Sequence, residues 1–165
     1  MDQQQPGSVL HEGKNYRSPF TKVLALGYYD GPTNGLLQSG EAGPVYKFDV
    51  VDDLWISNGE DVRVFTLAPV PSNSLTELTN LYSQFLVPHW PFWVPPWSFP
   101  TKEIQQRMER ATDDVLGRAG PVEWALAATD LLGTIHAARA VGPEEFSQIT
   151  DWYSFLGIPG RVPTD

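Results

Sequence analysis

The first half of the chain shows the two-residue hydrophobic period of β-strands. Residues 23–29 form a β-rich run that ends at the strong turn signal Asp30-Gly31-Pro32. Two further turn signals, Asn34-Gly35 and the glycine-rich residues 40–43, border a short second strand at about residues 36–39. These spacings predict two consecutive strands joined by a tight connection.

The next apolar runs continue the same period. Residues 45–51 alternate between apolar and charged side chains, which is typical of a strand with one solvated face. The pair Asp52-Asp53 interrupts this run and indicates a bulge or a bend. Asn58-Gly59 separates residues 54–56 from residues 62–67 and is the best hairpin signal in the chain. We therefore predict a meander of about four strands in this half of the chain.

Helical periods follow in the second half. Ser74 and Glu77 have the spacing of a capping box, and the helix that they begin is expected to end at Pro88. A second helix is predicted from about Thr101 to Gly117, because apolar residues recur there at intervals of three and four.

The last forty-odd residues hold one clear signal and one ambiguous one. A third helix is predicted to run from Pro143 to a Schellman-type ending at Gly157. Residues 121–141 fit either an amphipathic helix or two strands that extend the sheet, and we favour the strand pair. The third helix is expected to bury one stripe, made of Phe146, Ile149, Tyr153 and Leu156.

Together these patterns predict an α+β protein, with a mostly antiparallel sheet of four to six strands and about three helices packed on one face. The length of 165 residues, with 41% hydrophobic and 19% charged side chains, suits one globular domain. Polar residues 1–20 are expected to form a flexible N-terminal arm, and residues 21–165 a single α+β domain.

Composition narrows the classes of partner. The chain has 20 acidic and 11 basic side chains, a formal net charge of −9, which argues against nucleic-acid binding and favours a basic protein partner. It contains no cysteine, which excludes disulfides, thiol nucleophiles and thiolate metal sites. No run is long and apolar enough for a transmembrane segment, and the first residues lack the features of a secretory signal. We therefore expect a cytoplasmic protein.

The most unusual segment is residues 88–100, of which ten are proline or aromatic. Proline lacks a backbone donor, so the segment is expected to be an irregular loop with a large apolar content. Its rings could pack inward, dock a partner protein, or act as a lid over a small-molecule cleft. The candidate interaction residues are Trp90, Phe92, Trp93, Trp97 and Phe99.

A candidate cleft is expected near the end of the first strand, with Tyr28, Tyr29, Asp30 and His89 as possible ligand-binding residues. The carboxylates of Asp30, Asp52-Asp53 and Asp130 could meet at this end of the sheet. Between residues 48 and 101 there are six acidic side chains and one basic one, that of Arg63. The three histidines are far apart, and no metal site and no cofactor are predicted.

These features favour a non-enzymatic protein-interaction module that uses loop 88–100, with a basic protein or a second copy of the chain as partner. The alternative is a small-molecule-binding protein or minor enzyme with this loop as a lid over a cleft near residues 28–30. No catalytic residue is nominated, because the nucleophile-elbow, phosphate-loop, dinucleotide and zinc-protease motifs are missing.

Overall fold

The computed structural model describes residues 10–40, 42–56, 60–85 and 92–159. These residues contain one mixed, open sheet of eight strands in the order β1-β8-β7-β5-β4-β3-β2-β6, in which only the β2–β6 pairing is parallel. The strands are β1 (Gly13–Arg17), β2 (Lys22–Tyr28), β3 (Pro32–Gln38), β4 (Val45–Trp55), β5 (Asp61–Val70), β6 (Phe92–Trp93), β7 (Trp124–Ala128) and β8 (Thr134–Ala140).

Four α-helices accompany the sheet in the described part of the chain, together with a short 3-10 turn at Pro96–Ser98. The helices are α1 (Ser74–Leu81), α2 (Lys102–Leu116), α3 (Pro143–Phe146) and α4 (Trp152–Leu156). The α+β class is therefore as predicted. The predicted sheet of four to six strands was too small.

The predicted meander is present as β2, β3, β4 and β5, which are consecutive antiparallel neighbours. The register of β4 against β5 shifts between Val50 and Asp52, so the predicted irregularity at the aspartate pair is confirmed as a bulge. The hairpin between these two strands closes with Trp55 opposite Asp61. Its turn signal, Asn58-Gly59, lies outside the described residues.

Asn34-Gly35 was wrongly predicted as a turn, since it lies inside β3. Gly35 has φ +154, and a Cβ there would lie 1.9 Å from the carbonyl oxygen of Leu24 on the neighbouring strand. The glycine therefore permits a close approach of two strands next to the irregular pairing of β2, and it does not reverse the chain.

Three strands outside the meander enlarge the sheet at one edge, and a fourth does so at the other. β7 and β8 form an antiparallel pair, which confirms the strand interpretation of residues 121–141. β1 pairs with β8, so residues 13–17 are part of the sheet and not of a loose arm. β6 adds two residues beside β2 in parallel, a pairing too short to leave a periodic signal.

Local signals predicted α2 well and α1 only in part. Thr101 caps α2, where its Oγ1 accepts a hydrogen bond from the Ile104 N–H at 3.1 Å. The capping box predicted for α1 is not formed, because Asn73 occupies the cap position and Ser74 lies inside the first turn. The hydroxyl of Ser74 is buried and finds no hydrogen-bond partner among the described residues.

The single third helix predicted from Pro143 to Gly157 is wrong, because the structure breaks it into α3 and α4. Asp151 has extended backbone angles, and its side chain accepts hydrogen bonds from the N–H groups of Tyr153 and Ser154, so it starts a new helix. The predicted Schellman ending is confirmed: Gly157 is left-handed, and the Ile158 N–H donates to the Tyr153 carbonyl at 2.9 Å.

The two faces of the sheet are covered differently. On one face, Phe48, Leu126 and Ile135 are fully buried in a cluster that combines strand residues with residues of the connections, such as Phe20 and Leu131. No described helix contributes to this cluster, and we infer that the twisted sheet curls around it. On the opposite face, α1 and α2 pack against β2, β3 and β4, while α4 packs against β4, β7 and β8. At the end of the sheet where β2 passes into β3 and β7 into β8, the described residues next to this core therefore belong to strand ends and connections and not to helices.

Candidate functional site

Three connections of the curled sheet lie at the same end of the molecule. They are the turn between β2 and β3, the paired ends of β4 and β5 where Trp55 lies opposite Asp61, and residues 129–133 between β7 and β8. They surround a cleft of about 670 Å³, which we call the end cleft. This volume lies within the roughly 300–1,000 Å³ range of ligand sites in proteins.

Apolar side chains form the floor and part of the wall of the end cleft. Phe65 and Leu131 are buried members of the core beneath it. Tyr28 and Trp55 also line the cleft, but they are 47% and 48% exposed. Half-exposed rings above a buried apolar floor give the cleft flat surfaces on which a ligand can stack.

Carboxylates outnumber cations at the end cleft. The lining contains Arg63 and four aspartates, Asp30, Asp53, Asp61 and Asp130. The structure thus brings together three carboxylates that the sequence expected at one end of the sheet. Asp52 is not among the lining residues. It lies opposite Val64, one position before Asp53 in the register, and successive strand residues point to opposite faces.

Arg63 holds the turn between β2 and β3 against β5. Its guanidinium donates to the carbonyl oxygens of Tyr29, Gly31 and Pro32, the last two at 3.3 Å. Its Nε lies 3.6 Å from the carboxylate of Asp53. Asp30 and Gly31 adopt positive φ values of +54 and +123, a turn geometry that these three hydrogen bonds stabilise.

The connection between β7 and β8 is also anchored. The Thr129 hydroxyl donates to the Asp61 carbonyl at 3.2 Å, and Oδ1 of Asp130 accepts the Leu132 N–H at 2.9 Å. The side-chain carboxylate of Asp61 is not involved in that contact. Backbone and side-chain hydrogen bonds therefore pre-organise two of the three connections around the cleft.

A row of aromatic side chains, here called the ring ridge, extends from the rim of the end cleft. It consists of Tyr28, Trp93 and Trp97, with ring centroids 4.8 Å apart for the first pair and 5.7 Å for the second. Trp97 is 77% exposed, and Tyr29, next to the ridge in sequence, is 80% exposed. Since Tyr28 belongs to both, the ridge and the cleft form one continuous surface.

The aromatic loop thus divides between core and surface. Phe92 and Phe99 pack against the core under α1 and α2, and Phe99 lies 5.1 Å from the ring of Phe85. Trp97 is exposed on the ring ridge, and Trp93 is half-buried beside it. The predicted residues His89 and Trp90 lie outside the described part of the chain.

Sequence analysis missed Trp55, Asp61, Arg63 and Thr129 as lining residues. Arg63 carried a usable signal, because it is the only basic side chain in a long acidic stretch. Trp55 and Asp61 flank the predicted hairpin, and the topology of the meander places that hairpin beside Asp30.

Two negative findings apply to the described residues alone. They contain no group of three or more His, Cys, Asp or Glu side chains that could hold a metal ion. None of the helices in these ranges is long and apolar enough to cross a membrane. Comparisons with protein-family models, with curated proteins and with solved structures each find no match to this chain.

Proposed function

We propose that this protein is a non-enzymatic interaction module that docks a basic segment of a partner protein on the ring ridge and the adjoining end cleft. The observation that carries the proposal is the row of three contacting rings in which Tyr28 and Trp97 are exposed and Trp93, between them, is half-buried. Tryptophan and tyrosine dominate the binding energy of many interfaces, because covering one ring removes a large apolar area from water.

The ridge is also stiff before any partner binds. Trp93 is held in β6 beside β2, and Trp97 lies in a 3-10 turn where the Ser98 N–H donates to the Pro95 carbonyl at 3.0 Å. Arg63 holds the neighbouring turn. Stiff recognition surfaces lose little conformational entropy on binding, so more of the contact energy appears as affinity.

The negative charge of the end cleft favours a positively charged partner. The end cleft has four carboxylates and one guanidinium, and the whole chain carries a formal net charge of −9. An acidic partner would be repelled, whereas a segment with arginine or lysine side chains would be attracted and oriented. A basic protein segment is therefore the occupant that fits both the rings and the charges.

The test is a selection of short peptides from a displayed random library, with the wild-type protein as bait. We expect enriched peptides to be basic, and Trp97→Ala to weaken their binding at least about tenfold, as for an interface hot spot. Val51→Ala is the matched control, because Val51 is another exposed apolar side chain but lies outside the ridge and the cleft.

Two outcomes would overturn the proposal. Selected peptides that bind wild type and Trp97→Ala equally would show that the ridge is not the docking surface. A stable wild-type dimer in sedimentation analysis that Trp97→Ala converts to a monomer would show that the ridge joins two copies of this chain.

A further inference from the structure

We infer that the end cleft receives a single arginine side chain of the docked segment, with its guanidinium between the rings and the carboxylates. This inference rests on the proposed function and adds to it the residue type that determines specificity. Its starting point is the cleft itself, a concave space of about 670 Å³ at the end of the curled sheet.

The floor of the cleft suits the stem of a long side chain. Phe65 and Leu131 are buried and present apolar surface at the base. Arginine carries three methylene groups that pack on such surface while its charged end stays near water. A short polar ligand would leave this apolar surface uncovered.

The charge of the cleft requires a cation. Arg63 is already bonded to three backbone carbonyls and lies beside Asp53, so its own charge is engaged in the fold. Among the described residues, no ion pair joins the carboxylate of Asp61 or that of Asp130 to a cation. A second guanidinium or an ammonium group would offset part of the excess negative charge of the lining.

The rings favour guanidinium over ammonium. Tyr28 and Trp55 are each about half exposed, so a ring surface stays accessible in the cleft. A planar guanidinium stacks on an aromatic face and bonds a carboxylate through two parallel N–H groups, whereas an ammonium group is a compact, strongly hydrated charge. The lining therefore discriminates arginine from lysine as well as from neutral side chains.

The ring ridge and the end cleft adjoin each other, so one partner segment can contact both. Tyr28 contacts Trp93 of the ring ridge at 4.8 Å between centroids and also lines the end cleft. A peptide that covers Trp93 and Trp97 thus passes directly beside the cleft and can place a side chain in it.

The test uses N-acetyl-arginine amide, its lysine counterpart and its citrulline counterpart, which has the arginine shape without the charge. Binding is followed by NMR through the indole N–H signals, with Trp55 assigned by the Trp55→Phe variant. We expect the arginine compound to bind at least about tenfold more tightly than the citrulline compound, since charged partners dominate such sites. The lysine compound should fall between the two.

Two isosteric variants locate the site. Asp61→Asn and Asp130→Asn each remove a charge, and the asparagine at 130 can still accept the Leu132 N–H. Each should weaken binding of the arginine compound several-fold, whereas Val51→Ala, which lies outside both the cleft and the ridge, should leave it unchanged. The thermal midpoint of each variant shows that it is folded.

The outcomes separate this inference from the proposed function. Equal binding of the arginine and citrulline compounds, or full binding by the folded Asp61→Asn and Asp130→Asn variants, would overturn the arginine pocket. If the arginine compound binds as expected but Trp97→Ala leaves peptide binding intact, the proposed docking on the ring ridge is wrong instead.

Discussion

Val94 and Trp97 lie three residues apart in the same loop, and we expect opposite responses to truncation. Val94 is buried in the core with α1 and α2, so Val94→Ala should lower the free energy of unfolding by about 2 kcal/mol, from lost burial and the cavity left behind. Trp97→Ala should cost less than about 1 kcal/mol, because the larger ring packs mainly against the edge of Trp93. Urea unfolding followed by circular dichroism measures both. Equal losses would mean that Trp97 is a core residue.

Tyr82 gives the fold a sensitivity to alkaline pH. Its hydroxyl donates to that of Thr112, which in turn donates to the Met108 carbonyl at 2.8 Å. Burial raises the pKa of the Tyr82 phenol above its ordinary 10.0. The hydrogen bond with Thr112 opposes this rise, and the nearby carboxylates of Glu109 and Asp113 add to it. The phenol therefore loses its proton more easily in the unfolded chain, so its contribution to stability is complete below pH 10 and falls as pH rises through the folded-state pKa.

The Tyr82→Phe variant isolates this effect. At about pH 8 it should be less stable than wild type by about 1 kcal/mol, the net value of a hydrogen bond. The difference should shrink above pH 10, where only the wild type loses the contribution of this phenol. Urea midpoints of the two proteins across this range provide the measurement, and a constant difference would contradict the assignment.

At the scale of single residues, the sequence indicated which residue types belong to the site better than it indicated which of them are buried. It indicated that the carboxylates of Asp30 and Asp130 could meet at one end of the sheet, and both line the end cleft. It could not separate Phe99 from Trp97, since both are large aromatic residues in one proline-rich loop. Their separation depends on where α1 and α2 pack, which is a contact between elements distant in sequence.

The turn between β2 and β3 depends on Arg63, so we expect this element to loosen first when that side chain is changed. Arg63→Met keeps the apolar stem and removes the hydrogen bonds to three carbonyls, which should lower the free energy of unfolding by about 1.5–3 kcal/mol. The Tyr29 N–H, which donates to the Gly31 carbonyl at 2.9 Å, should exchange with solvent faster. Hydrogen exchange of that amide measures the effect.

The Arg118→Met variant is the matched control for this prediction. Arg118 also makes two ionic contacts, with Glu77 and Asp114, but these join side chains on the surface of α1 and α2. Exposed ion pairs add little stability, so this variant should leave the Tyr29 amide unchanged. Arg63→Lys should fall between wild type and Arg63→Met, because lysine keeps the charge without the planar fork. If the Tyr29 amide exchanges at the same rate in Arg63→Met as in the wild type, the turn between β2 and β3 does not depend on the Arg63 side chain.

Features that depend on a few neighbouring residues in sequence were predicted. Elements that form only by pairing with a strand distant in sequence were not. The bulge at Asp52, the Thr101 cap and the Gly157 ending are each set by a few neighbouring residues. β1 and β6 are short edge strands that exist only because β8 and β2 offer them a partner. The break before Asp151 was missed because the apolar stripe of α3 and α4 continues across it.

At the scale of the whole molecule, the asymmetric covering of the sheet explains where binding can occur. Among the described residues, helices pack on one face, and the other face is buried in a core cluster of strands and connections. The end of the curled sheet remains, where strand ends and connections together carry the half-exposed rings of Tyr28 and Trp55 and the four cleft carboxylates. Connections held by a rigid scaffold are where recognition residues are commonly found.

The molecular charge should act on the rate of docking more than on the lifetime of the complex. The screening length falls from about 30 Å at about 0.01 M salt to about 8 Å at about 0.15 M, which removes long-range attraction but leaves close contacts largely intact. We therefore expect the association rate of a selected basic peptide to fall about tenfold over this range, with a much smaller change in dissociation. Stopped-flow tryptophan fluorescence measures both rates.

Two single-charge variants decide whether this attraction comes from the net charge of −9 or from the end cleft. Asp61→Asn removes a carboxylate at the cleft, and Glu144→Gln removes one from α3, which packs on the opposite face of the sheet through Phe146. Both lower the net charge equally. Because a cleft concentrates the field of the charges that line it, Asp61→Asn should slow association several-fold more than Glu144→Gln. Equal slowing by the two variants would mean that the whole molecule attracts the partner and that the cleft has no special role in the encounter.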